Sequence, residues 1–234
     1  MEMLAFGAHP DDCELFAGGT LARLSRAGRC VGIVDLTRGE MASRGSPEER
    51  AEEMREASKV LGIASRKTLD LGDTRLEVSR DNCLQIVRIL RTERPGVVLT
   101  HYLRDRHPDH ERAYRLVREA CFLSDVAGVD TGQERHGVAA LYCFPGNMTR
   151  MDVTPSFVVD VSDVFEQKLE AIRAYRSQFH NPDYSGEPTY ISSEAYFDLI
   201  RARARVYGDL IGVTFGEAFW SERPLRPEDL AIFV

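Results

Sequence analysis

No apolar run in the chain approaches the ~20 residues that a membrane-spanning helix needs, so a membrane partner is not expected. Met3-Leu4-Ala5-Phe6 carries neither the basic flank nor the apolar stretch of a secretory signal, and a cytoplasmic location is the expectation. Cysteine is sparse and patternless. Cys13, Cys30, Cys83, Cys121 and Cys143 are five in number, scattered, and without a Cys-x-x-Cys pair. A disulfide framework and a thiolate metal site are thereby excluded, leaving buried free thiols, with Cys13 to watch because of the motif around it. A basic excess is also missing. With 30 basic against 37 acidic residues the net charge is -7, which argues against nucleic acid as a partner. Lysine is scarce, so the positive charge is mostly arginine, the side chain suited to small anions. The chain has no internal repeat, no low-complexity tract and no dinucleotide loop. Gly18-Gly19-Thr20 is too sparse for such a loop and falls inside a helical pattern.

What is present is ordinary globular composition, 43% hydrophobic and 29% charged, with 234 residues read as one domain over 1–234. Short apolar runs alternate with helical spacing. Strands are predicted at Leu4–Gly7, Cys30–Leu36, Thr68–Leu71, Val97–Thr100, Ala139–Phe144 and Phe157–Val161. Helices are predicted at Glu14–Ala27, from the Ser46-Pro47 start to Gly62, and at Asn82–Arg94, Glu111–Leu123, Val164–Tyr175 and Glu194–Tyr207. His180–Pro188 reads as a loop. This alternation predicts an α/β fold: a Rossmann-like, doubly wound, mostly parallel sheet with helices on both faces. Right-handed crossovers put the first strand centrally with the fourth beside it, and a crevice opens at their carboxyl ends.

The two most unusual polar clusters follow those two strands. One is Ala8-His9-Pro10-Asp11-Asp12-Cys13-Glu14, the other Arg106-His107-Pro108-Asp109-His110. Two histidines and a carboxylate are donors that zinc or ferrous iron accepts, and three protein ligands leave room for water and substrate. Each cluster also has a plainer reading. Asp11 or Asp12 could simply cap a helix, and His107 and His110 could be polar residues at a helix entrance. Four of the six histidines, counting His101, would then have converged on one crevice by coincidence.

With these residues the sequence resembles the PIG-L/LmbE family of metal-dependent N-acetylglucosaminyl deacetylases, over nearly its whole length. Within that family it resembles the bacillithiol-pathway branch, which acts on N-acetylglucosaminyl malate. Supporting stretches are Leu4–His9, Asp35-Leu36-Thr37, Asp105–His110, Tyr175-Arg176-Ser177-Gln178-Phe179 and Gly216–Phe219. Thr37–Gly45 looks more like the broader family, and Phe144-Pro145-Gly146-Asn147 is atypical. The resemblance implies Zn2+, with Fe2+ as the alternative ion, held by His9, Asp12 and His110. It implies Asp11 as general base, a protonated His107 facing the oxyanion, and Asp109 orienting it. Arg50 and Tyr196 are implied in substrate contact; their plainer readings are a solvated helix arginine and a packed aromatic. A small N-acetyl amino-sugar substrate and a homo-oligomer, trimer or hexamer, are implied as well. The alternatives are a deacetylase of another N-acetyl amino-sugar glycoside and a non-catalytic, Rossmann-like nucleotide-binding protein.

Overall fold

Five-residue apolar strands that are buried along their whole length need a helix layer on each side, and the chain supplies both. The computed structural model describes residues 1–146 and 154–233, so Asn147 of the atypical Phe144–Asn147 stretch lies outside the described residues. Its strands are Met3–Gly7 (β1), Val31–Asp35 (β2), Ser65–Thr68 (β3), Val97–His101 (β4), Ala140–Phe144 (β5), Phe157–Asp160 (β6) and Gly216–Ser221 (β7). They form a sheet in the order β3-β2-β1-β4-β5-β7-β6. Pairing from β3 through β5 is parallel, with β1 between β2 and β4 as expected.

Two features depart from the sequence expectation. The third strand lies earlier than Thr68–Leu71. As an edge strand it is polar and half-exposed, whereas Leu71 packs into the core just beyond the sheet. Strand β7 is absent from the expected set; it runs antiparallel between β5 and β6 and makes that edge of the sheet mixed.

The helices are Asp12–Arg26 (α1), Pro47–Leu61 (α2), Arg80–Glu93 (α3), Pro108–Ser124 (α4), Phe165–Arg173 (α5) and Glu194–Asp209 (α6). The Ser46 capping box, Pro47 at the first helical position and left-handed Gly62 bound α2 as the sequence predicts. One apolar core lies under α1, α2 and α5, and a second under α3 and α4 on the opposite sheet face. Among the described residues no helix is long and apolar enough to cross a membrane.

Strand β7 is locked to α1 by a buried carboxylate. Glu217 accepts from Gly19 N, Thr20 N and Thr20 Oγ1 at 2.8, 2.7 and 2.6 Å, and from Lys168 Nζ at 2.6 Å. Removing one partner of a buried ion pair leaves the other charge uncompensated. Glu217→Ala is therefore expected to lower the unfolding free energy by about 3–5 kcal/mol, read as a fall in the urea midpoint; an unchanged midpoint would show that this lock is not stabilising.

Candidate metal centre

The turn after β1 is built under backbone constraint. Gly7 lets the turn pack closely, since a Cβ there would stand 3.1 Å from Asp12 Cβ and 3.3 Å from Cys13 Sγ and would require those side chains to give way by a few tenths of an ångström. Asp11 has φ 112°, a left-handed value that costs a non-glycine residue about 1–3 kcal/mol and recurs at functional sites. Its side chain makes no capping bond to α1, which removes the plainer reading for Asp11. Instead it meets Arg50 Nη2 at 3.2 Å. The turn after β4 ends with His107 as N-cap and Pro108 in the first turn of α4.

The two turns converge. His9 Nδ1 lies 3.4 Å from Asp12 Oδ2, and His110 Nε2 lies 3.3 Å from Asp12 Oδ1. The His107 ring is 4.7 Å from His9 and 4.8 Å from His110, centroid to centroid. Behind this group His9 and His110 each turn the other ring nitrogen toward a carboxylate. His9 Nε2 faces Asp73 Oδ1 at 3.2 Å and Asp109 Oδ2 at 3.6 Å, while His110 Nδ1 faces Asp105 Oδ2 at 3.1 Å. A ligating histidine is usually oriented by such an outer carboxylate.

The electrostatics suit a cation. Burial opposes protonation of His9, but the Asp109, Asp12 and Asp73 contacts outweigh it and hold the pKa well above the usual value. His110 is likewise pushed up to about 9: burial pulls it down, and Asp12 and Asp105 more than reverse that. Asp12 stays well below the usual carboxylate range despite burial, because His110 and His101 face it. Protons on the imidazoles here do the balancing that a bound cation would do. His9 Nε2, His110 Nδ1 and Asp105 Oδ2 are buried without a well-aligned hydrogen bond, so the protonated arrangement satisfies them poorly. Borderline nitrogen and oxygen donors in one dense group fit zinc or ferrous iron.

Asp11 is 7% exposed, and its pKa is pushed up to about 7; burial is the largest cause, Arg50 opposes it and Asp12 adds to it. Buried Cys13 has its thiol pushed well above its usual pKa by burial, so it stays an inert thiol.

Several expected roles change on sight of the side chains. Asp109 does not orient His107. Its carboxylate accepts from Thr74 N at 2.7 Å and Arg112 Nη1 at 2.9 Å and faces His9, while His107 Nδ1 accepts from the Asp109 amide at 3.2 Å. For His107, burial and the neighbouring His9 and His110 push the pKa below the usual value, which works against the protonated form expected of it. Arg50 lines the cleft, but its guanidinium is engaged by Asp11 and, in a short contact, by the Pro10 carbonyl. Tyr196 is 2% exposed and stacked on Phe179, facing a small neighbouring cavity. Six residues earlier, Tyr190 lines the cleft, outside any motif that could have flagged it.

His101 is the histidine to which the sequence assigns no role. Its Nε2 accepts from Ala8 N at 3.0 Å and its ring stacks on His110 at 4.0 Å, tying the two turns together from behind. Burial and the His110 charge push its pKa down to about 4. Among the described residues three sets of donors lie close enough to share one ion: His9, His107 and His110; Asp12, His101 and His110; and His9, Asp73 and Asp109, so the expected His9, Asp12 and His110 are divided between the first two.

As a candidate metal site the cluster generates two expectations. His110→Ala loses bound metal, and elemental analysis giving full occupancy would contradict the ligand set. Asp105→Ala weakens metal affinity by roughly 10- to 100-fold, measured by chelator competition, because His110 loses the carboxylate behind it.

The site's cleft has a volume of about 380 Å³, within the range of small-molecule sites. Its walls are the loop carrying Met41, Ala42 and Ser43 and the segment carrying Thr189, Tyr190 and Ile191.

Residues 4–121 match the family model described as PIG-L, GlcNAc-PI de-N-acetylase. The diacetylchitobiose deacetylase of Thermococcus kodakarensis is 30% identical over 231 residues, covering 92% of this chain and 81% of its own. A conserved protein of Thermus thermophilus, TT1542, is a solved structure that superposes with a TM-score of 0.87 at 38% identity, covering 97% of this chain and 96% of its own. A 4-oxalmesaconate hydratase from Pseudomonas putida is 28% identical over 195 residues, 77% of this chain and 75% of its own. With its strand order, its two converging turns and the family match across half the chain, the protein belongs to the PIG-L family.

Proposed function

We propose that the protein is a metal-dependent N-deacetylase of N-acetylglucosamine-containing substrates, with Zn2+ the ion its donors favour and Fe2+ the alternative. The observation that carries the reading is Asp11, buried beside the His9, Asp12 and His110 donors yet bonded to none of them, at the foot of an open cleft. His9, Asp12 and His110 would hold a divalent ion, which would supply Lewis acidity toward a carbonyl and toward water.

The chain's own groups do the rest. Asp11 takes the proton of the attacking water as it adds to the acetamide carbon. Arg50 holds the Asp11 carboxylate in place through Nη2, and the left-handed backbone at Asp11 turns it away from the helix it would otherwise cap. His107, with Nδ1 occupied by the Asp109 amide, keeps its proton on Nε2 and donates it as a hydrogen bond to the oxyanion. Asp11 then returns its proton to the departing amine nitrogen. Asp109 and Asp73 act on His9, fixing its ring.

For the aglycone, the sequence resemblance to the bacillithiol branch favours N-acetylglucosaminyl malate, whereas the Thermococcus relative is named for a disaccharide. A second reading is water addition to a carbon–carbon double bond, favoured by the hydratase relative, since a base and a Lewis acid serve either reaction. The deciding experiment is to reconstitute metal-free protein with zinc or iron and measure acetate released from N-acetylglucosaminyl malate and from diacetylchitobiose. Acetate from neither would remove both aglycones, and failure on every other N-acetyl amino-sugar glycoside as well would remove the deacetylase reading.

Asp11→Asn is expected to keep its metal and lose roughly 10²- to 10⁴-fold in turnover. Turnover near that of the parent would take Asp11 out of the mechanism.

A further inference from the structure

The stretches Thr37–Gly45 and Tyr175–Phe179 take no part in the chemistry above, yet they are knotted together beside the cleft. At the centre is Arg44, only 6% exposed. Its Nε donates to the Ser177 carbonyl at 2.6 Å, and its Nη1 donates to the carbonyls of Gly186 and Glu187 at 3.0 and 2.7 Å. The guanidinium lies 4.8 Å from the centre of the Tyr184 ring, and the Tyr184 oxygen accepts from Gly45 N at 3.0 Å. Gln178 Nε2 donates to the Arg44 carbonyl at 2.6 Å, and Glu53 of α2 accepts from Ser177 N and Oγ at 2.7 and 2.9 Å. Gly45, at φ +74°, allows the close approach; a Cβ there would stand 2.6 Å from Ser177 Oγ.

A buried guanidinium that donates three bonds to backbone carbonyls is a tie between segments, because its rigid planar fork fixes several acceptors at once. The segments it ties are the two walls of the cleft. On one side stand Met41, Ala42 and Ser43, and on the other Thr189, Tyr190 and Ile191. The anchoring carbonyl of Glu187 lies three residues before Tyr190. Tyr190 lines the cleft, is 55% exposed and meets Tyr196 edge-on at 5.4 Å; the backbone that carries it is held by the Arg44 tie on one side and, on the other, by Ser192 and Ser193 hydroxyls that donate to the Thr189 and Tyr190 carbonyls.

We infer that Arg44 is a positioning residue: it ties the 186–191 segment to the loop at 39–45 and thereby sets where Tyr190 meets the substrate. The inference rests on the proposed use of this cleft for an amino-sugar substrate. It assigns Arg44, which lines the cleft, to the architecture of the wall rather than to anion binding.

Arg44→Ala is expected to keep metal content and affinity unchanged while kcat/KM falls roughly 10- to 100-fold, the scale of an ångström-sized misplacement. Guanidinium chloride should restore part of that loss, and sodium chloride at equal ionic strength should not. In a Tyr190→Ala background, Arg44→Ala should cost little more, since both changes remove the same wall. Full additivity in that cycle would overturn the inference.

An arm independent of catalysis uses chymotrypsin. Cleavage after Tyr184 and Tyr190 in the metal-loaded protein should speed up roughly 10-fold when the tie is cut; an unchanged rate would overturn it as well. If Arg44→Ala does not fold, Arg44→Lys carries the same tests, keeping the charge but losing the fork. Should the parent prove inactive on every N-acetyl sugar, the deacetylase reading fails, while the cleavage rates still decide whether Arg44 holds the wall.

Discussion

Carboxylates drawn together out of water at the ends of β1 and β4 are the constraint on which the rest depends. Asp11, Asp12 and Asp109 are buried within one site, with Asp73 and Asp105 beside them facing the histidines. Such an assembly is stable only if positive charge is supplied at its centre. Imidazolium protons serve when no cation is bound, which is why His9 and His110 are held above their usual pKa while Asp12 is held below its own. The same crowding suits the group to a cation, while burial above all pushes Asp11, outside the donors, up to about 7, a value suited to proton transfer.

Beneath the site the fold holds this charge with a second set. Arg66 of β3 donates from Nε and Nη2 to Asp35 at 2.7 and 2.8 Å and from Nη1 to Glu14 at 2.5 Å, and the Tyr175 hydroxyl donates to Glu14 at 2.9 Å. This pins the first turn of α1 to β2 and to the segment after α5, two residues from Asp12. The chemical floor therefore rests on the parallel core of the sheet. The cleft walls come from loops whose geometry is set by hydrogen bonds to backbone carbonyls. The buried polar cluster and the cleft walls are accordingly held by different parts of the molecule.

The alternation of buried, mainly apolar strands with capped amphipathic helices is legible because burial on both faces writes a nearly continuous run, and because Ser46-Pro47 and Gly62 are local devices. Strand β3 escapes correct placement since an edge strand need not be apolar. Strand β7 escapes the local pattern because its partners β5 and β6 lie far away in sequence. The cleft tyrosine is Tyr190 rather than Tyr196 for a related reason: nothing local tells a packed ring from a cleft ring in a loop.

By itself, then, the sequence determined the doubly wound sheet, the pairing of two polar turns at its switch point and the types of donor they bring, since periodicity and topology rules operate locally or through strand order. Only the tertiary structure decided which nitrogen of each histidine faces Asp12, that Asp109 serves His9 rather than His107, and that Arg50 is engaged by Asp11. Those outcomes depend on side-chain directions and on competition among buried charges, and both exist only once the chain is folded.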